Sequence, residues 1–314
     1  MKQGGVMIDS YGMTMPYRID KFTARNDYAF KKLFGREENK DIMSRFISLA
    51  TGIDEGDFKD VKIANNELSS QFYKDKTGRL DIKIILKDGK KINVEMQNTY
   101  FNYYPKRSIF YWCELFIENF RKSDEYDTLN KCIAINILNA PFPLTNKLHS
   151  IYKILETEEY SALDDVLEIH FLDLTKLSDL ETTELAKWLL FIRTDDSNVR
   201  KQLAKENAMI AKANEVMNIF YLSDEERAAY LAASLYESDR ASMLGESKRE
   251  GIAEGMARGM AKGRAEGRVE GEYAKAIETA KKSFEMGLYD EMIMELTGLS
   301  KEEIKRLKER KGKI

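Results

Sequence analysis

"GRLDIKIILKDGKKINVEMQ", residues 78–97, holds two apolar alternations joined by Lys87-Asp88-Gly89. Asp81, Glu95 and Gln97 fall between the apolar positions, and the length of the connection decides where they point. A two-residue turn at Asp88-Gly89 pairs Lys87 with Lys90 and sets Ile84 against Asn93, mixing apolar with polar along the whole ladder. The other common closure is a three-residue loop with Gly89 in the left-handed conformation. It pairs Leu86 with Lys90, Ile84 with Ile92, Ile82 with Val94 and Leu80 with Met96. A slip of one residue turns every side chain to the opposite face, so the apolar pattern selects the longer loop.

That register sets Asp81 across from Glu95, on the face away from the apolar ladder, with Gln97 opposite Arg79. Directly opposed side chains have Cβ atoms about 4.5–5.5 Å apart. Two carboxylates at that range repel unless a shared cation compensates. Mg²⁺ suits such a site, because it takes one or two carboxylates and completes its shell with water and phosphate oxygens. The plainer alternative is a solvated pair softened by Lys83, Arg79 and Lys90.

The rest of the chain narrows the classes. Its 314 residues suffice for one large domain or two ordinary ones, and 43% apolar with 33% charged residues describes a charge-rich globular protein. No apolar run approaches the roughly eighteen residues of a membrane span. The N-terminus lacks the apolar core of a secretory signal. Two cysteines make no disulfide framework, which points to a reducing cytoplasm. Two histidines nearly exclude a His/Cys zinc site, leaving hard cations on carboxylates. A net charge of −3 gives no global support for a polyanionic partner. Local basic residues (Lys74, Lys76, Arg79, Lys83, Lys87, Lys90, Lys91, Lys106, Arg107) read most simply as the soluble decoration of a hairpin.

Helical spacing runs through residues 26–50, where Phe30, Leu33 and Phe34 precede Ile42, Phe46 and Leu49. A short strand ends near Asn65, then the hairpin follows. Residues 103–121 form an aromatic amphipathic helix with Pro105 in its first turn. "KCIAINIL" (131–138) reads as a strand covered on both faces, and "LEIHFLDL" (167–174) as an alternating one. The order predicts a mixed α/β domain over 1–176, a helical extension over 177–244, a glycine-rich charged segment over 245–274 and a small helical tail over 275–314.

Gly251, Gly255, Gly259, Gly263, Gly267 and Gly271 recur every four residues. In a helix these glycines cost on the order of 5 kcal/mol relative to alanine. Either they let another helix approach closely, or the segment is a soft, solvated linker. In the tail, Gly298 ends one helix and Ser300 with Glu303 makes a capping box for the next. Such a pair is half of a helix-turn-helix, though most pairs of this kind are packing units.

On "RLDIKIILKDGKKINVEMQ", with "NDYAFKKLFG" (26–35) upstream and "YYPKRSIFYW" (103–112) downstream, the chain resembles the recombination-promoting nuclease (Rpn) and putative transposase family of the PD-(D/E)XK nuclease superfamily. The glycine segment and "LTGLSKEEI" are similar to the C-terminal pattern of many members. The resemblance implies an α/β, restriction-endonuclease-like mixed sheet flanked by helices, followed here by an all-helical C-terminal region. It implies Mg²⁺- or Mn²⁺-dependent cleavage of DNA in recombination, mobile-element biology or defence. Asp81 matches the metal-binding aspartate of the second strand and Glu95 the acidic residue of the third, while Gln97 stands at the usual lysine. Asp27 and Glu67 are further acidic neighbours. Arg79, Lys83, Arg107 and Tyr111 are the candidate substrate contacts, the last two facing either phosphate or the packing of their helix. A homo-oligomer through the C-terminal helices, and a nuclease-fold scaffold with weak or no turnover that binds DNA or protein through those helices, complete the expectations.

Overall fold

The computed structural model describes residues 21–58, 62–64, 81–178 and 182–311. Glu67 and Arg79 lie outside them. Two compact units are formed, Met1–Glu237 and Ser238–Ile314.

The first unit begins with α1 (Asp27–Phe34) and α2 (Lys40–Thr51). Asn26 caps α1 by accepting a hydrogen bond from the Ala29 N–H, and Asp27 in the first turn favours the helix dipole. Gly52, at φ 78°, ends α2 in the left-handed conformation. The sheet follows: β1 (Lys62–Ala64), β2 (Ile82–Ile85) and β3 (Lys91–Gln97), then α3 (Tyr104–Ile117), β4 (Cys132–Leu138), β5 (His149–Tyr152) and β6 (Leu167–Asp173). The six strands lie in the order β1-β2-β3-β4-β6-β5. The β3–β4 and β4–β6 pairs are parallel and the others antiparallel, so the sheet is mixed as expected.

The hairpin closes as the apolar pattern requires. Ile84 pairs with Ile92 and Ile82 with Val94, the Leu86 N–H donates to the Lys90 carbonyl, and Gly89 has φ 84°. On one face, Ile82, Ile84, Ile92, Val94, Ile133, Ile135 and Ile137 share a core with α1, α2 and three further helices: α4 (Glu184–Arg193), α5 (Ser197–Glu206) and α6 (Ala208–Leu222). Phe34, Phe46 and Trp188 pack as an aromatic cluster there. On the other face, Tyr104, Trp112 and Leu115 of α3 cover Cys132, Ala134, Ile169 and Phe171. The helices after residue 177 therefore complete the core of the sheet.

Two expectations need correcting. β5 is a strand that the periodicity did not reveal, because four residues at a sheet edge are too few to establish a period. β6 is buried along nearly its whole length rather than half-exposed. Its Glu168 is kept ionised below the sheet surface by His170, Lys131 and Lys153, which hold its carboxyl far below the usual range against burial.

α7 (Asp224–Glu285) spans the boundary between the units. Its first turns belong to the first unit, where the Tyr230 hydroxyl accepts from the Thr23 N–H and Ser234 Oγ accepts from the Asn26 amide. The glycine-rich segment is continuous helix, and nothing would meet a Cβ placed at any of its glycines. In the second unit, α8 (Asp290–Thr297) and α9 (Lys301–Lys311) fold onto the end of α7 around Ala280, Ile293, Leu299 and Ile304. Gly298 ends α8 at φ 68°, and Ser300 and Glu303 exchange both bonds of a capping box. No described helix is long and apolar enough to cross a membrane.

Candidate active site

Between the β2–β3 hairpin and α3, the sheet carries its polar residues inward. The register that pairs Ile82 with Val94 sets Asp81 opposite Glu95. Asp81 stands one residue before β2 begins, and its side chain extends the pairing there, its Oδ2 accepting from the Met96 N–H at 3.0 Å. The Glu95 side chain is 5% exposed and that of Asp81 21%.

The electrostatics show how crowded the pair is. Burial, then the charge of Asp81, pushes the Glu95 carboxyl up to about 7, against the pull of Arg107. Burial also raises Asp81, although Lys31 and the Met96 N–H work the other way. α3 covers this face, so Glu95 is not a solvated surface carboxylate, while Asp81 keeps about a fifth of its side chain exposed.

Arg107 reaches the pair from α3. Its Nη2 lies 3.5 Å from Glu95 Oε2 and its Nη1 3.5 Å from Gln97 Oε1. The guanidinium carbon sits 5.4 Å from the centre of the Tyr104 ring and 5.2 Å from that of Tyr111. Burial works against its charge, but Glu95 and the tyrosines outweigh that and hold it raised. Gln97 donates its Nε2 to the Thr99 carbonyl at 2.9 Å.

α1 supplies the other wall. Lys31 Nζ lies 2.6 Å from Asp27 Oδ1, one turn away, and 3.6 Å from Asp81 Oδ1. Glu237 of α7 fixes the start of that helix, its Oε1 accepting from the Asp27 N–H and its Oε2 from the Asn98 amide, both at 3.3 Å.

Of the residues singled out in the sequence, the structure brings together Asp27, Asp81, Glu95, Gln97, Arg107 and Tyr111. Lys83 is not among them. It points into the same α3-covered face farther along β2 and is buried in an ion pair with Glu118. Lys91 is likewise spent inside, on the Leu115 and Glu118 carbonyls. The basic decoration expected on this face is therefore partly internal structure. Sequence reasoning passed over Lys31, Tyr104 and Glu237. The spacing of Lys31 from Asp27 was the one visible signal for any of them.

Among the described residues, no three His, Cys, Asp or Glu side chains converge as a ready-made metal cage. Mg²⁺ does not need one, since waters and substrate oxygens complete its shell. The hard oxygens of Asp81 and Glu95, close enough that one charge raises the other carboxyl, fit such a cation. No curated protein and no solved structure matches the chain significantly. A family model does, over residues 24–247, a span holding both faces of this site, and the chain belongs to the PD-(D/E)XK nuclease family transposases.

Proposed function

We propose that the protein is a DNA endonuclease dependent on Mg²⁺ or Mn²⁺, of the recombination-promoting type, acting in recombination, mobile-element biology or defence. The observation that carries this reading is the Asp81–Glu95 pair, a half-buried and a buried carboxylate facing each other on one hairpin end with a guanidinium beside them. Asp81 and Glu95 would hold the cation, whose chemistry there would be to polarise the phosphate and lower the pKa of a bound water. Arg107, its planar guanidinium lying over the Tyr104 and Tyr111 rings, orients Glu95 and offers its fork to a phosphate oxygen. Supercoiled plasmid is expected to be nicked in Mg²⁺, and Asp81→Ala to lose more than about 100-fold of that rate. Equal nicking by a folded Asp81→Ala protein contradicts the assignment.

The second reading, a scaffold without turnover, is favoured by Gln97, which brings hydrogen bonds but no charge. It requires that Mg²⁺ leave the thermal stability of the wild type unchanged, whereas a bound cation raises it.

We also propose that the protein self-associates through α7. Ile252, Met256 and Met260 are half or more exposed and follow Gly251, Gly255 and Gly259, forming an apolar row beside the small residues. A cytoplasmic location fits free Cys113 and Cys132.

A further inference from the structure

From the placement of its side chain beside Asp81, we infer that Lys31, on α1, supplies positive charge to the reacting phosphate. The inference rests on the nuclease reading above and names one more residue that acts on the reacting phosphate.

Hydrolysis adds a water oxygen to phosphorus as a bridging P–O bond breaks. One proton leaves the attacking water and one reaches the departing alkoxide, with no change of oxidation state. Negative charge builds on the non-bridging oxygens meanwhile, and a cation held close to them lowers the barrier. Gln97 cannot provide it. Its amide is neutral and tied to the Thr99 carbonyl and to Arg107. Arg107 serves the Glu95 side of the pair, bonded to Glu95 and Gln97 at 3.5 Å, with its guanidinium carbon 5.4 and 5.2 Å from the centres of the Tyr104 and Tyr111 rings.

Lys31 approaches from the opposite side. Its ammonium lies 3.6 Å from Asp81 Oδ1, one of the oxygens that would hold the cation. Asp27 anchors it at 2.6 Å, and α1 is anchored in turn by Asn26 and by Glu237. A third of the side chain remains exposed, so substrate can reach it. Pre-organisation on a capped helix is what electrostatic catalysis asks of such a group.

The test uses the full-length chain, plasmid nicking in Mg²⁺ and the thermal shift produced by Mg²⁺ alone. Lys31→Ala is expected to nick about 100-fold more slowly while keeping the Mg²⁺-induced rise in Tm, because Asp81 and Glu95 are untouched. Lys31→Ala combined with Gln97→Lys, which restores an ammonium from the strand, is expected to recover at least roughly tenfold. Nicking by Lys31→Ala within about twofold of wild type overturns the assignment. So does no recovery in the double variant. Loss of the Mg²⁺ shift along with activity makes Lys31 a support for Asp81 and overturns it too. A wild type that nicks nothing in Mg²⁺ sinks the nuclease reading and this assignment together, whereas the other outcomes leave the nuclease reading standing.

Discussion

Glu95 carries the sharpest conflict between charge and burial. Its carboxyl keeps a proton up to about pH 7 in the metal-free fold, while the unfolded chain releases it near 4.5. The folded state thus binds more protons in that window. The stability this group contributes is complete below about 4.5 and is lost as pH rises through 7. Glu95→Gln has no proton to lose. In EDTA its urea midpoint should gain on that of the wild type between pH 5 and pH 8, by the equivalent of on the order of 1–3 kcal/mol. An offset between the two proteins that stays constant with pH contradicts the burial argument. The residues on the hairpin were legible because their register is an arithmetic consequence of alternation. Lys31 was not, since its distance from Asp81 depends on how α1 settles against the sheet, a tertiary fact with no local period. Lys83 misled for a related reason: position on a face says nothing of which helix will cover that face.

Among the elements, the β2–β3 hairpin has the least freedom. Gly89 stands at φ 84°, and a Cβ there would lie 2.5 Å from Asn130 Nδ2. The amide can swing aside, but the backbone cannot relax without disturbing the loop that sets the register. Gly89→Ala should therefore cost about 1–2 kcal/mol by urea denaturation. Because the register aligns Asp81 with Glu95, the Mg²⁺-induced rise in Tm should shrink with it. A variant as stable as wild type would mean that the loop tolerates another conformation. Elements with a strong period were readable, including α1, α2, β3, β4 and the capped tail helices. α3 ends at Ile117 rather than 121, where Asn119 turns the chain at φ 66°, a position open to asparagine that no pattern announced.

At the scale of the whole molecule, α7 is the element whose sequence and structure pull apart. Glycines in a helix interior weaken it, yet the segment is helical throughout and its glycine positions have open space around them. Alanine at Gly255, Gly259 and Gly263 should strengthen the helix by about 0.8–1 kcal/mol per site, read as slower amide exchange over residues 245–275. The same methyl groups hold a second helix off, so sedimentation should show smaller species. Unchanged assembly would assign the glycines to a linker role. The reach of the first unit is the part that composition could not disclose. Helices after residue 177 look like an appendage in sequence, but they supply Trp188, Phe191 and Phe220 to the core beneath the β2–β3 hairpin. Glu237 then fastens the Asp27 amide and Asn98 from a point far along the chain. Cutting the protein where its strands run out would leave both acids in place and unfasten the wall facing them. The smallest piece able to keep this site whole therefore extends past Glu237, and its length is set by a latch rather than by the sheet.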